Sequence, residues 1–332
     1  MSDFAKQQVR MVFSDVDGTL VGGDHHPIEA SAATMHEVGA RVPVCLVSAR
    51  SPEGLYSIQQ ALGFAGPLAC FSGAYVLGEN GEELYSTTMT AEDARDIKDY
   101  LSQAHPQLCV GTYGHHTWIV DDRSHPSVRR EEEAVQTQAS ESRDIVGTFG
   151  KTGVHKLLLM GSPDAILDAE RVVGARYPHL NVVRSSDILC EVMTREASKR
   201  TAVRVICEHY GIDPTYAVAF GDGPNDMDML LSVRNSYAMA NAEEAVKEAA
   251  THVLPWTNEE CGVARMLAQL LDLSAKRGPD RKRGPDRNSV HRRSKAPHKK
   301  ERPESERSFL CKLSACCVDY ATSSPLDLMT FW

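Results

Sequence analysis

Two carboxylates two residues apart, Asp15 and Asp17, follow an apolar run and precede Gly18 and Thr19. Met11-Val12-Phe13 reads as a buried strand. A strand that runs into acidic residues places them at its carboxyl end, where open α/β sheets bind ligands. Alternate strand residues point the same way, so both aspartates can address one small site. Asp and Gly also build ordinary turns, so this stretch alone does not separate a site from a turn. Further polar groups at strand ends do: Ser48-Ala49-Arg50, Lys199, and Asp222 with Asn225 and Asp226.

On one edge of a parallel sheet these groups converge. Asp15, Asp17 and Asp222 then repel one another unless a cation joins them. Mg²⁺ suits such oxygens, being a hard ion usually held by one or two carboxylates, water and substrate phosphate. Lys199 adds a compact positive charge and Ser48 a hydroxyl. A metal, an ammonium and donors around one carboxylate are what a transferring phosphoryl group requires, because its catalysis is largely positioning and charge neutralisation.

The elements that hold these groups alternate. Residues 28–38 place Ile28, Ala32, Met35 and Val38 at helical spacing, and Pro43-Val44-Cys45-Leu46-Val47 is a second strand. Ser51 is a candidate N-cap and Pro52 opens a helix faced by Leu55, Ile58 and Leu62. Pro67-Leu68-Ala69-Cys70-Phe71 is a third strand. Such alternation predicts an α/β fold with a doubly wound parallel sheet. Tyr75-Val76-Leu77 and Glu83-Leu84-Tyr85-Ser86 flank a glycine-rich turn and predict a hairpin. Strand runs mixed with two helices follow, the mark of a small inserted α+β layer. The charged stretch 121–133 receives no element. The parallel pattern returns at Lys199. The expected division is a core over 1–83 and 191–273 and an insertion over 84–190.

Composition narrows the class. At 332 residues, 42% of them hydrophobic, the chain has room for about two domains. No secretory signal is visible and no apolar run approaches a membrane span of ~18 residues. Nine cysteines show no metal spacing, and Cys45, Cys70, Cys190 and Cys207 read as buried reduced thiols in apolar surroundings. A cytoplasmic protein is expected. The net charge of −9 hides an asymmetry, since residues 274–332 carry 14 Lys and Arg against 7 Asp and Glu. The acidic body argues against nucleic-acid binding. The basic segment, with Arg-Gly-Pro-Asp-Arg twice, lacks the apolar content of a core and reads as a disordered or non-native tail.

The motifs together resemble the haloacid dehalogenase superfamily of phosphatases, in its Cof-type branch with a type IIB cap. Asp15-Val16-Asp17-Gly18-Thr19-Leu20 is similar to the first motif and Ser48-Ala49-Arg50 to the second. Lys199 matches the third, and Gly221-Asp222-Gly223-Pro224-Asn225-Asp226 the fourth. Ser72-Gly73-Ala74 and Met239-Ala240-Asn241-Ala242 resemble further landmarks, and the likeness spans about residues 9–271. The resemblance implies a Rossmann-like core with a cap, and Mg²⁺-dependent hydrolysis of a small phosphate monoester, such as a sugar phosphate, through an aspartyl-phosphate. It implies Asp15 as nucleophile and metal ligand, and Asp17 as proton carrier with its carbonyl on the metal. It implies Asp222 as metal ligand, and Asp226 as support for Lys199 or the metal. Ser48, Ala49, Lys199 and Asn225 would hold phosphate or substrate, with Arg184 near the mouth of the site.

Some positions depart from the family. Ser48 stands for Thr, Ala49 for Gly, Ser72 for Asn and Arg200 for Gly, and none removes a catalytic group. In the cap, Tyr113, His115, His116 and Trp118 either meet substrate or serve as sheet packing. The expected partner is a small phosphorylated metabolite, with no nucleic acid and no membrane, on a monomer or homodimer. Two alternatives share the residues: a phosphosugar mutase of the phosphomannomutase type, and a non-catalytic phosphometabolite-binding module.

Overall fold

A computed structural model describes residues 9–273. The reading of 274–332 as a tail therefore lies outside the described residues, as do Cys311, Cys316 and Cys317. The core opens with β1 (Met11–Ser14), α1 (Glu29–Gly39), β2 (Val44–Val47), α2 (Pro52–Leu62), β3 (Leu68–Cys70), β4 (Tyr75–Leu77) and β5 (Glu83–Ser86). It resumes with α7 (Lys199–Tyr210), β12 (Ala217–Gly221), α8 (Met227–Leu230), β13 (Asn235–Ala238), α9 (Glu244–Ala249), β14 (His252–Val253) and α10 (Gly262–Leu270). Between them lie α3 (Ala91–Ala104), β6 (Cys109–Gly114), β7 (Thr117–Val120), α4 (Pro126–Val135), β8 (Ser140–Glu141), α5 (Ile145–Phe149), β9 (Lys156–Met160), α6 (Pro163–Arg176), β10 (Leu180–Ser186) and β11 (Leu189–Thr194).

The core sheet runs β14-β13-β12-β1-β2-β3-β4-β5, parallel from β14 to β3 and antiparallel at β4 and β5. β1, β2 and β12 are buried at every residue, as strands covered by helices on both faces must be. Two of the expected helix signals hold: Ser51 caps α2 by accepting from the Gly54 amide, and Pro52 is its first residue. Cys45, Cys70, Cys190 and Cys207 are buried free thiols.

The inserted sheet runs β10-β11-β9-β6-β7-β8. Strand alternation sorts its two faces. Val110, Ile119, Leu157, Leu159, Cys190 and Val192 join Ile97, Ile145 and Ile166 of α3, α5 and α6 in one apolar layer. Tyr113, Trp118, Leu158, Met160 and Met193 belong instead to the apolar cluster of the core, so the insertion lays its other face on the core as a cap. β5 pairs in the core sheet and β11 in the cap sheet. The chain therefore crosses between sheets at residues 87–90 and 195–198, slightly later at both ends than the expected 84 and 190. The first crossing meets the end of β11 where Thr87 Oγ1 and Thr194 Oγ1 lie 3.2 Å apart.

The stretch 121–133, which the sequence left without an element, holds α4. His125 caps it, Pro126 opens it, and buried Val128 with half-buried Val135 faces the core cluster. Glu131, three residues after Val128 and four before Val135, lies on that same face.

Candidate active site

Asp15 leaves the end of β1 beside the end of β12, its amide donating to the Phe220 carbonyl at 3.0 Å. Lys199, the first residue of α7, points into this edge. A lysine at a helix N-terminus opposes the helix dipole; here it is 1% exposed, and its Nζ donates to Asp15 Oδ1 and Asp226 Oδ1 at 2.5 Å each. Burial works against the Lys199 ammonium, but the two carboxylates overcome it and raise its pKa. Asp226 gives its other oxygen to the amides of Asp222 and Gly223, at 3.0 and 2.9 Å. It thus braces both Lys199 and the loop that carries Asp222.

Asp222 completes the cluster. Oxygens of Asp15, Asp222 and Asp226 all lie within 4.8 Å of one another. Thr19, 1% exposed, donates to Asp222 Oδ1 at 2.7 Å. Gly18 has φ +80°, and a Cβ there would stand 2.2 Å from Asp222 Oδ2, so only glycine lets the first loop close on the fourth. Asn241 secures the same turn by donating to the Gly18 carbonyl at 2.8 Å. Burial, with the charge of Asp226, pushes the Asp222 carboxyl up to about 6. Burial also raises Asp15 well above the carboxylate range, Asp226 and Asp222 adding and Lys199 opposing. Burial and mutual repulsion thus work against the ionised form of Asp15 and Asp222, and a nearby cation would relieve both. Clustered hard oxygen donors of this kind fit a divalent cation.

Asp17 is held apart from this cluster. Arg50, 6% exposed, grips it through two hydrogen bonds, Nε to Oδ2 at 2.9 Å and Nη2 to Oδ1 at 2.6 Å. His25 Nδ1 lies 2.9 Å from Oδ1. Burial alone would raise the Asp17 carboxyl; the bonds from His25 and Arg50 outweigh it and hold the group well below the carboxylate range. Ser48, 2% exposed, and Ala49 follow β2 on the same sheet edge, and the Ser48 amide donates to the Ala69 carbonyl at 2.9 Å. Asn225 is exposed on the 3-10 turn Pro224–Asp226.

Most of the expected groups are thus brought together: Asp15, Lys199, Asp222 and Asp226 in contact, with Asp17, Ser48, Ala49 and Asn225 on adjoining loops. Arg184 is not brought to them. It shares a strand face with Leu180 and Val182, toward the outer helices, and its guanidinium lies 3.7 Å from Glu170 of α6 and 3.7 Å from Asp187. Arg200 is exposed, its amide donating to Asp228. Tyr113 and Trp118 are buried and stacked on each other at 5.0 Å. His115 and His116 dock the cap on the core, 3.4 Å from Glu83 and 2.7 Å from Glu53. Beside them His155 is fully buried, and burial, with the charge of His115, pulls it down to about 3. It is therefore neutral, accepting the His115 amide at Nδ1 and donating from Nε2 to Ser86. Thr19, His25, Arg50 and Asn241 carry site contacts that sequence reading did not assign. Arg50 already stood in a recognised motif, whereas nothing local marks His25.

The haloacid dehalogenase-like hydrolase family model matches residues 12–267. A Haemophilus influenzae protein provisionally named a phosphatase is 31% identical over 261 residues, covering 78% of this chain and 97% of that relative. A Methanopyrus kandleri protein named phosphoglycolate phosphatase is 29% identical over 264 residues, with coverage of 79% and 97%. Among solved structures, a haloacid dehalogenase-like hydrolase from Bacteroides thetaiotaomicron shares the fold with a TM-score of 0.73 at 24% identity, covering 79% of this chain and all of that one. Among the described residues no helix is long and apolar enough to cross a membrane.

Proposed function

This chain belongs to the haloacid dehalogenase-like hydrolase family and is a phosphatase, and we propose that it hydrolyses small phosphate monoesters, sugar phosphates or similar metabolites, with Mg²⁺ and through an aspartyl-phosphate on Asp15. The observation that carries this reading is the buried Lys199 bridging Asp15 and Asp226 at 2.5 Å each, beside Asp222. Asp15, Asp222, Asp226 and the Asp17 carbonyl would hold a divalent cation, which would supply charge neutralisation for the transferring phosphoryl group.

The chain's own residues do the rest. Lys199 occupies Asp15 Oδ1 and leaves Oδ2 to attack phosphorus. Ser48 and the Ala49 amide hold phosphoryl oxygens, and Asn225 faces the substrate from the fourth loop. Asp17 gives a proton to the leaving oxygen and takes one from the attacking water. The grip of Arg50 and His25 favours its ionised form, so the second of these steps is the one its resting state suits. Glu131, on the core-facing side of the cap and near Arg50 and Asp17, offers a hydrogen-bond partner to a hydroxyl-bearing leaving group. The cap itself excludes water.

Phosphate release from a panel of sugar phosphates, nucleotides and phosphoglycolate tests the reading. Chelation is expected to lower the rate by about 10²-fold or more, the scale of losing one electrostatic stabiliser, with recovery on adding Mg²⁺. Mg²⁺ at about 100 times its Kd should also stabilise the fold by about 2.7 kcal/mol. A rate that survives chelation unchanged would sink the metal assignment.

A further inference from the structure

Lys156 opens β9 on the face of the cap sheet that meets the core, and it is 4% exposed. A buried ammonium requires partners. Its Nζ donates to the Ala49 carbonyl at 2.7 Å and approaches Glu191 Oε1 at 3.5 Å, with the Tyr113 ring 5.0 Å and the Phe71 ring 5.8 Å from it. The Ala49 bond crosses from cap to core and ends on the loop that follows β2.

The other bonds of that loop show what this one completes. The Ser48 carbonyl accepts from the Ser72 amide at 2.9 Å, and the Arg50 carbonyl accepts from the Phe71 amide at 3.1 Å. Both come from the core. The carbonyl between them, that of Ala49, is taken by the cap through Lys156. It belongs to the peptide that enters Arg50, whose own amide reaches Ser48 Oγ only at 3.3 Å. The orientation of this peptide therefore depends on Lys156, and from it extends the guanidinium that grips Asp17.

We propose that Lys156 is a positioning residue through which the seated cap locks the Ser48–Arg50 loop and thereby sets the Arg50–Asp17 geometry. Lys156 touches neither Asp15 nor Asp17 and acts through the loop. This role rests on the phosphatase reading for its effect on rate, but the lock itself is independent of any reaction. It also links two events, since a cap lifted from the core withdraws the ammonium and frees the peptide before Arg50.

The test uses the whole chain with Lys156→Met, paired with Glu191→Gln so that no buried carboxylate is left alone. Ethyl phosphate has a poor leaving group and nothing with which to reach the cap; p-nitrophenyl phosphate has a leaving group that needs no proton. The variant is expected to lose about 10²-fold in kcat on ethyl phosphate, the cost of a misplacement near 1 Å. Its KM should stay within about twofold, and p-nitrophenyl phosphate should lose kcat as well, because the aspartyl-phosphate formed from either ester is hydrolysed by the same Asp17-assisted attack of water. In an Arg50→Met background the same change should add no further loss, as for residues acting in series. Hydrogen exchange at residues 48–50 should quicken at least tenfold while the thermal midpoint of the fold holds. A change confined to KM, additivity with Arg50→Met, or unchanged exchange at 48–50 would each overturn the proposal. If the wild-type chain hydrolyses neither ester, the phosphatase reading fails, and the exchange measurement still decides the lock.

Discussion

Replacing Asp15 with Asn is expected to lower phosphate release by about 10⁴-fold or more, the scale seen when a nucleophile that works within a catalytic unit is removed. The fold should survive, and the reason is electrostatic. Asp15 is buried among Asp222 and Asp226, with Lys199 as the countercharge, and its carboxyl is pushed well above the ordinary range by burial and by those neighbours. Asn fills the same space without the charge and still offers an oxygen to Lys199 at the position of Oδ1. In metal-free buffer the variant should therefore unfold at the same urea concentration as the wild type or at a higher one. With Mg²⁺ the order should reverse, because the variant has lost a ligand charge. Rate measurements on Asp15→Asn, Asp15→Glu and wild type, together with denaturation curves with and without Mg²⁺, check both parts. An Asp15→Asn rate equal to wild type would remove Asp15 as the nucleophile.

What could be read from the sequence follows from how each residue is held. Asp15, Ser48 and Asp222 attach to strands whose apolar runs fix where they end, and a parallel sheet fixes which edge those ends share. Lys199 and Asp226 stand in recognised motifs, and each lies at the start of an element that packs on that sheet. Backbone placement alone brings these groups together. Arg50 belongs to a recognised motif as well, but its grip on Asp17 is made by a long side chain whose direction no spacing determines. Lys156 stands at the head of an apolar run, Leu157-Leu158-Leu159-Met160, that marks only a strand. That its ammonium is buried and spent on the Ala49 carbonyl depends on how the cap lies on the core.

Arg184 went the other way. The family likeness sets it near the mouth of the site, whereas alternation from Leu180 and Val182 puts it on the helix side of β10, where Glu170 meets it. The alternation was present in the sequence and outranks a local likeness. α4 was hidden by charge: its hydrophobic stripe is narrow because one side faces solvent and the other carries Glu131 toward the core. His125 and Pro126 at its start were the available signals.

Lys199→Met should have the largest effect on stability of any single change at the site. Lys199 and Asp226 are each 1% exposed and Asp15 5%, so removing the ammonium leaves two buried carboxylates facing each other with Asp222 close by. Breaking a buried pair in this way costs about 3–5 kcal/mol, most of it the penalty of the charge left behind. Activity should fall together with stability, since the same ammonium offsets the charge that Asp15 carries to phosphorus. The two losses can be separated. Asp226→Asn added to Lys199→Met removes one of the stranded charges and keeps an oxygen for the amides of Asp222 and Gly223, which now hold Asp226 Oδ2 at 3.0 and 2.9 Å. The double variant should recover at least half of the lost stability and none of the activity. Mg²⁺ should stabilise Lys199→Met more than it stabilises wild type, because the metal then meets one more uncompensated negative charge. Urea denaturation of the three proteins with and without Mg²⁺ measures this. A Lys199→Met chain as stable as wild type would mean that the pair is not held as a buried charge cluster, and with it would go the account of why a lysine stands first in α7.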